Sequence, residues 1–473
     1  MEEWEKWTAV LEKPPVLVVF CRGIGYDKNI GASTSAVCAK SRQLSQAVQA
    51  ADRGERGCIF MVSQNTLRKY AKLAVRVGVN VQPGQLMVLS SPVDCAFFAR
   101  LCVEEAYRAG AGEVRVNWVD EHTEKLRYLY EARDSMAAIA PWRVEQKQND
   151  VDRGCCFLYL KSTTPGLLAD IPGEKLQAVR VAEELAFEKF EAYTMANHGQ
   201  WSIVAAPSPA WAKKAFPELE EQAALDALWD AVLAGVRIAA DNDPVAEWRA
   251  HIASLAEHSK KLNEYHFRAL HFQNSKGTDL TVGLVKEHIW EGGCSRADNQ
   301  AVFVPNMPTE EVFTAPDKYH VNGRVCATKP LNYQGKMIRG FWFAFQDGKV
   351  CDYGAESGAD VLKNLVEFDE GSAYLGEVAL VPDDSPISRS GLLFLTTLFD
   401  ENASCHLALG ASYPENIRGG AAMDRRQLEA AGANQSKEHC DFMFGSADMR
   451  IDGVLPDGTE VPVFRNGVFA FPE

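Results

Sequence analysis

The chain has 473 residues, 47% of them hydrophobic and 24% charged, with a formal net charge of −15 at pH 7. That length holds two domains, and the composition is that of an ordinary globular protein. The acidic balance argues against nucleic acid or an anionic membrane as a partner, since both call for a basic surface.

The twelve cysteines form no regular framework and no CxxC pair. Cys155 and Cys156 are adjacent, a spacing unsuited to a zinc clamp, so reduced, mostly buried thiols in a cytoplasmic protein are expected. No run of about 18 apolar residues is present, and no helix is expected to span a membrane. The apolar stretch Val16 to Cys21 follows acids and lysines and is not followed by a signal-peptide cleavage pattern.

Residues 1–60 read differently from the rest. Pro14-Pro15 precedes a candidate strand, Val16 to Phe20; Gly23 to Ala36 has no clear periodicity, and residues 40–52 form at most a weak helix. From Met61 the pattern becomes regular. Ser63 caps a helix through Leu67, Tyr70, Leu73 and Ala74, with Gly78 as its stop. A buried strand at Gln85 to Leu89 follows, then a helix from Asp94 to Ala109 and a strand at Val114 to Val119. A helix over 121–133 and a strand at Cys156 to Leu160 come next. A long helix from Pro172 to Asn197 leads to a strand at Trp201 to Ala205. Three helices, a short one opening at Pro209 and two over 219–237 and 244–264, complete the region. This alternation predicts a parallel sheet flanked by helices.

Near residue 265 the texture shifts to strands and turns: Phe267 to Phe272, Asp279 to Leu284, Val325 to Lys329 and Phe341 to Phe345, with one helix over Ala359 to Asp369. Gln346-Asp347-Gly348-Lys349 reads as a hairpin turn. The expected fold class is α/β: an N-terminal α/β domain with a parallel sheet (61–265) and a C-terminal mixed α+β metal-binding domain (266–473), preceded by an N-terminal extension of doubtful status (1–60).

The chemistry concentrates late in the chain. Phe399 to His406 reads FDENASCH, and 33 residues after His406 comes His439-Cys440-Asp441, in a chain with ten histidines. Imidazole nitrogens beside carboxylates suit a divalent ion. In an extended segment His439 and Asp441 share a face and Cys440 points the other way; the alternative is a surface turn. Glu401 and His406 lie in apolar surroundings, where a charge needs a partner or a metal. Glu377 opens a strand-like run, either as a ligand or as an edge residue. Glu310-Glu311 follows a proline and also reads as a negatively charged helix N-terminus. Tyr413, seven residues after His406, is either core or a donor to a developing oxyanion. There is no HExxH helix, GxSxG elbow or Walker-type glycine loop.

The blocks Asn306 to Phe313 (NMPTEEVF), Tyr374 to Ser388 (YLGEVALVPDDSPIS), Leu398 to Gly410 (LFDENASCHLALG) and His439 to Met443 resemble those of a known family. It is the metal-dependent aminopeptidases of the aminopeptidase T, aminopeptidase S and PepS kind, also described as thermophilic metalloproteases. The resemblance runs from about Met61 to the C-terminus. It implies a site for two divalent ions (zinc, cobalt, manganese or magnesium) held by Glu311, Glu377, Glu401, His406, His439 and Asp441. It implies Tyr413 as a catalytic residue, and it implies hydrolysis of N-terminal residues from peptides within a homodimer that encloses the active sites. The intervals of 66 residues from Glu311 to Glu377 and 29 from Glu377 to His406 are those expected of relatives, and Cys440 stands where many of them carry another residue. For the general base, Glu310 and Glu401 stay open. A metal-binding protein without catalysis, and an α/β ligand-binding protein with structural C-terminal acids, are the rival readings.

Residues 1–60 have no counterpart in that family. Met61 is therefore expected to be the initiator, with a genuine extension as the alternative. Intact-mass measurement of the native protein should give a chain starting at Met61; a mass that includes residues 1–60 overturns this.

Overall fold

A computed structural model describes residues 62–162, 164–333 and 336–472. The expectations for a strand at 16–20, a weak helix at 40–52, the extension 1–60 and an initiator at Met61 lie outside the described residues.

The first described helix, Gln64–Leu73, starts where Ser63 accepts a hydrogen bond from the Thr66 amide. It runs on through a wider turn, Ala74–Gly78. Strands β1 (Leu86–Pro92), β2 (Glu113–Val119), β3 (Cys156–Lys161) and β4 (Trp201–Ala205) follow, each separated from the next by helices. All four run parallel. β1 reads as a continuous apolar run because both its faces are covered. Met87 and Leu89 enter one core, while Leu86 and Val88 enter a second with Phe157, Phe187 and Phe190.

The chain leaves the helix Pro244–Tyr265 at His266, which takes the left-handed conformation (φ 49°). Antiparallel structure then takes over, beginning with β5 (Ala269–Gln273), β6 (Asp279–Leu284), β7 (Ser295–Arg296) and β8 (Val302–Phe303). Next come β9 (Asn306–Met307), β10 (Val312–Thr314), β11 (Pro316–Cys326), β12 (Leu331–Tyr333) and β13 (Lys336–Ile338). β14 (Trp342–Gln346), β15 (Lys349–Gly354) and the helix Ala359–Val366 precede β16 (Leu375–Leu380), β17 (His406–Gly410) and β18 (His439–Met443). β19 (Arg450–Val454), β20 (Glu460–Arg465) and β21 (Val468–Phe469) close the chain. One sheet of eight strands runs β15-β14-β11-β6-β5-β19-β20-β21, and one of four runs β10-β16-β17-β18. Their inner faces share a core: Leu270, Phe272, Val282, Phe343 and Ile451 from the larger sheet meet Val378, Leu380, Leu407, Leu409 and Phe442 from the smaller. Two sheets that pack face to face in this way place each strand's alternate residues in one apolar layer.

β9 is the exception to the change of texture. It returns to the parallel sheet beside β4, Ile203 opposite Asn306 and Val204 opposite Met307, so that sheet runs β2-β1-β3-β4-β9. Met307 sits in the first core, together with Ile387, Phe394 and Phe399 from later in the chain. The fold is α/β, with a helix-flanked parallel sheet and antiparallel sheets built from the second half. Among the described residues no helix is long and apolar enough to cross a membrane.

Several elements differ from the sequence expectation. The helix expected over Pro172 to Asn197 is two, Gly173–Ala186 and Glu188–Met195, broken at Phe187; the break carries Phe187 and Phe190 together into the second core. The helix expected over 121–133 ends at Tyr130. A further one, Pro141–Asp152, buries only Asp150 and so leaves no apolar periodicity to read. The strand expected at Val325 to Lys329 is the end of β11, which begins at Pro316; its run of exposed polar residues hides the alternation.

Leu407 is fully buried between the two antiparallel sheets. Leu407→Ala should cost about 2–5 kcal/mol of unfolding free energy by urea titration. A loss below about 1 kcal/mol would show that this layer is not close-packed.

Candidate metal centre

Successive residues of a strand project to opposite faces, and paired strands lie about 4.8 Å apart. On the four-stranded sheet the inward face carries Val312, Val378, Leu380, Leu407, Leu409, Cys440 and Phe442 into the core. The outward face therefore carries Phe313, Glu377, Ala379, His406, Ala408, His439 and Asp441, and Glu311, one residue ahead of β10, continues its alternation. The register sets Glu377 opposite Ala408 and Ala408 opposite Asp441, while Ala379 stands between Phe313 and His406. The small alanines leave room for the longer polar side chains around them.

A bulge between Leu375 and Glu377 brings Glu377 into this row. It falls at Gly376, where a Cβ would lie 2.3 Å from the Gly410 carbonyl oxygen, so no other residue fits there. Glu377 thus stands on an interior strand, not an edge. The Glu310-Glu311 segment is not a helix N-terminus, and His439-Cys440-Asp441 is strand, not turn, with Cys440 in the core.

His406 Nε2 lies 3.1 Å from Glu311 Oε2 and 3.5 Å from Glu377 Oε1. His439 Nε2 lies 3.3 Å from Glu377 Oε2 and 3.4 Å from Asp441 Oδ1. Each imidazole donates its other nitrogen's proton to a backbone carbonyl, His406 Nδ1 to Ser404 at 3.2 Å and His439 Nδ1 to Ala411 at 2.8 Å. That bond orients each ring and turns its Nε2 towards carboxylate oxygens. There Nε2 meets the carboxylates through a proton, or, with that proton gone, presents its lone pair to a metal ion. Two trios result, Glu311–Glu377–His406 and Glu377–His439–Asp441, each with donor atoms within 4.8 Å of one another and with Glu377 common to both. Imidazole nitrogen and carboxylate oxygen suit divalent zinc, cobalt or manganese.

The charges follow from burial. Burial alone raises the Glu377 carboxyl, but hydrogen bonds to His406 and His439 outweigh it and bring the pKa to about 2. Burial raises Glu311 against the pull of His406. It raises Glu401 far more, with the charges of Glu311 and Asp441 adding to the effect. For both histidines burial opposes protonation, yet the carboxylates around them win and hold their pKa values well above the usual range. So strong a demand for positive charge is what a metal ion would satisfy.

Glu401 reaches the site from a turn (Glu401–Ala403) just before β17, and Tyr413 from the segment just after it. Both line a cavity of ≈ 220 Å³ together with Glu311, Glu377, His406, His439 and Asp441. The Tyr413 ring lies 4.9 Å from that of His439 and 6.2 Å, edge-on, from Phe313. Burial and the neighbouring carboxylates push its hydroxyl well above the usual range, so it keeps its proton.

Glu310 does not join them. Both its oxygens are engaged by Arg237, one through Nη2 at 2.7 Å and the other through Nη1. The Glu310 amide donates to Asn402 Oδ1 at 2.7 Å, and Asn402 Nδ2 donates to the Leu398 carbonyl at 3.0 Å. Fully buried Asn402 thereby ties the segment carrying Glu311 to the turn carrying Glu401. Neither Arg237 nor Asn402 had a signal in the sequence beyond its residue type.

The family model described as thermophilic metalloprotease (M29) matches residues 63–469. Aminopeptidase AmpS of Bacillus subtilis (strain 168) is 45% identical over 405 residues, 86% of this chain and 98% of that relative. Aminopeptidase 2 of Geobacillus stearothermophilus is 42% identical over 408 residues, with the same shares of both chains. A solved structure, wild-type AmpT from Thermus thermophilus, matches with a TM-score of 0.81 at 37% identity and covers 86% of this chain and 99% of its own.

Gly292 lies against the backbone of Glu311: a Cβ there would stand 2.5 Å from the Glu311 carbonyl oxygen. Gly292→Ala should displace Glu311 and lower the metal content after dialysis several-fold, measured by plasma emission with circular dichroism unchanged. Full metal content in a folded variant would show that this contact does not position Glu311.

Proposed function

The chain belongs to the thermophilic metalloprotease family M29, and from that premise we propose that it removes N-terminal residues from peptides by a two-metal mechanism. The observation that carries the reading is Glu377, whose two carboxylate oxygens face two different histidines and so belong to both ligand trios. Glu311, His406 and one oxygen of Glu377 would hold one ion; His439, Asp441 and the other oxygen would hold the second. Zinc, cobalt, manganese and magnesium all suit part of this set. Bound divalent ions supply a Lewis acid for the scissile carbonyl and bring the pKa of water towards about 7.

The chain's own residues do the rest. Glu401 lines the cavity outside both trios, its carboxyl raised by burial and by the neighbouring carboxylates, and nearby cations would lower it again. We assign it the proton transfer: it accepts the proton of the attacking water and returns it to the departing amine as the C–N bond breaks. Glu310 is spoken for by Arg237 and instead anchors the Glu311 segment. Tyr413, protonated and beside His439, donates a hydrogen bond to the oxygen that becomes negative as water adds to the carbonyl. The site residues named above all lie between Glu311 and Asp441, while Met195, Asn197 and Trp201 also line the cavity. We accordingly read 61–265 as a domain that covers the site and 266–473 as the one that carries it. A homodimer belongs to this reading, supported by the exposed apolar side chains Trp118, Tyr130 and Trp142. A cytoplasmic location is supported by the nine free thiols among the described residues.

The test is cleavage of leucine p-nitroanilide by protein titrated with metal. Activity should rise to a plateau at two equivalents, and a chelator should abolish it. A plateau at one equivalent refutes the two-metal reading, and no cleavage at any loading refutes the aminopeptidase. Tyr413→Phe should lower kcat by about 10²–10³ with metal content unchanged; normal turnover would remove Tyr413 from the mechanism.

A further inference from the structure

Arg237 stands in the helix-flanked half of the chain, two residues beyond the helix Glu221–Gly235, yet its side chain reaches the segment that carries Glu311. The guanidinium grips both oxygens of Glu310 in a fork, Nη2 at 2.7 Å from Oε2 and Nη1 on Oε1. Only 19% of the arginine side chain and 2% of the glutamate side chain are exposed. Fully buried Trp248 braces this grip. Its indole N–H donates to the carbonyl of Val236 at 2.7 Å, one residue before Arg237, and the guanidinium carbon lies 5.9 Å from its ring centroid. His251, edge-on to Trp248 at 5.5 Å, adds a second arm. Its Nε2 donates to the Thr309 carbonyl at 2.7 Å. Arg237 and His251 thus hold two consecutive residues, Glu310 and Thr309, immediately ahead of Glu311.

Stability does not account for this arrangement. Taking an ion pair out of water costs about as much as the pair returns, and apolar side chains of similar volume serve as well. A fork does what apolar packing cannot: two parallel hydrogen bonds fix the plane of the carboxylate as well as its position. Glu310 and Glu311 share a peptide unit, so a fixed Glu310 sets the point from which the Glu311 side chain departs. From the other side, Asn402 Oδ1 accepts from the Glu310 amide at 2.7 Å, while its Nδ2 donates to Glu401 Oε1 at 3.4 Å. The residues of the Glu377–His439–Asp441 trio are placed differently, by the pleat of β16 and β18.

We propose that Arg237 is a positioning residue for the metal centre. Acting through Glu310, it sets the place of Glu311, so that the helix-flanked half governs one ion, that of the Glu311–Glu377–His406 trio. The ion of the Glu377–His439–Asp441 trio is bound without its help. The inference rests on the two-metal reading, since two ions are needed to tell one from the other.

The test uses the full-length protein, freed of metal and titrated with zinc chloride in a calorimeter. In Arg237→Met/Glu310→Leu both buried charges leave together, so neither is stranded, and the melting temperature of the metal-free protein should stay near that of the wild type. Glu311→Gln and Asp441→Asn mark which ion is which. The double variant should bind one ion as the wild type does and the other about 10–100-fold more weakly. The weakened ion should be the one that Glu311→Gln loses. Two ions bound with wild-type affinities overturn the proposal, and so does an equal loss for both, which a general loosening of the fold would give. Arg237→Lys keeps the charge but not the fork and takes the place of the double variant if that does not fold. It should weaken the same ion, and wild-type affinities for both would again overturn the proposal. A wild type that takes up a single ion refutes the two-metal reading instead. Arg237 is then judged on that ion: weaker binding in the double variant upholds its role, and equal binding refutes it.

Discussion

Everything in this molecule leans on the two-residue period of four short antiparallel strands. One face of that sheet is hydrocarbon, continuous with the layer shared by the eight-stranded sheet; the other gathers two imidazoles and three carboxylates within reach of one another. Burying so many carboxylates costs several kcal/mol per uncompensated charge. The apolar face must therefore hold the strands rigidly in register while the polar face pulls them apart. A slip of one residue would exchange the faces and place a carboxylate of β16 or β18, or the imidazole of β17, in the core. Register and site are the same specification.

Around this sheet the chain uses fixed contacts in place of flexible ones. Gly376 permits the bulge that aligns Glu377, and Gly292 lets the neighbouring segment lie on the Glu311 backbone. Asn402 joins the Glu311 segment to the Glu401 turn, and the backbone carbonyls of Ser404 and Ala411 orient the two rings. Each of these acts on a ligand through one covalent or hydrogen-bonded step. These contacts leave Glu311, Glu377, Asp441 and both imidazoles turned towards one another, the arrangement of a site shaped ahead of its ligand.

Much of this was legible in the sequence, and for identifiable reasons. Helices with a capping serine or a terminal glycine, such as Gln64–Leu73 and Ala96–Ala109, were readable from local chemistry. The parallel strands showed as apolar runs. His439-Cys440-Asp441 could be read as a strand with Cys440 turned inward because alternation is a local property. What the sequence hid were the non-local relations. The Pro141–Asp152 helix lacks an apolar stripe, and β11 is mostly polar on its exposed side. Glu310 and Glu311 are adjacent carboxylates with no difference in composition, and only the fold shows that one faces Arg237 and the other His406.

The return of β9 to the parallel sheet has a consequence for how this enzyme fails. Met307 is locked into the first core, and Glu311, four residues later, belongs to one candidate ligand trio just ahead of β10. So short a tether transmits any loosening of one half to the other without slack. The enzyme should therefore lose its chemistry and its architecture together on heating, rather than pass through a folded but inactive form. For the same reason neither half makes a self-sufficient fragment: one would lack its outermost strand, and the other would lack the anchor that aims Glu311.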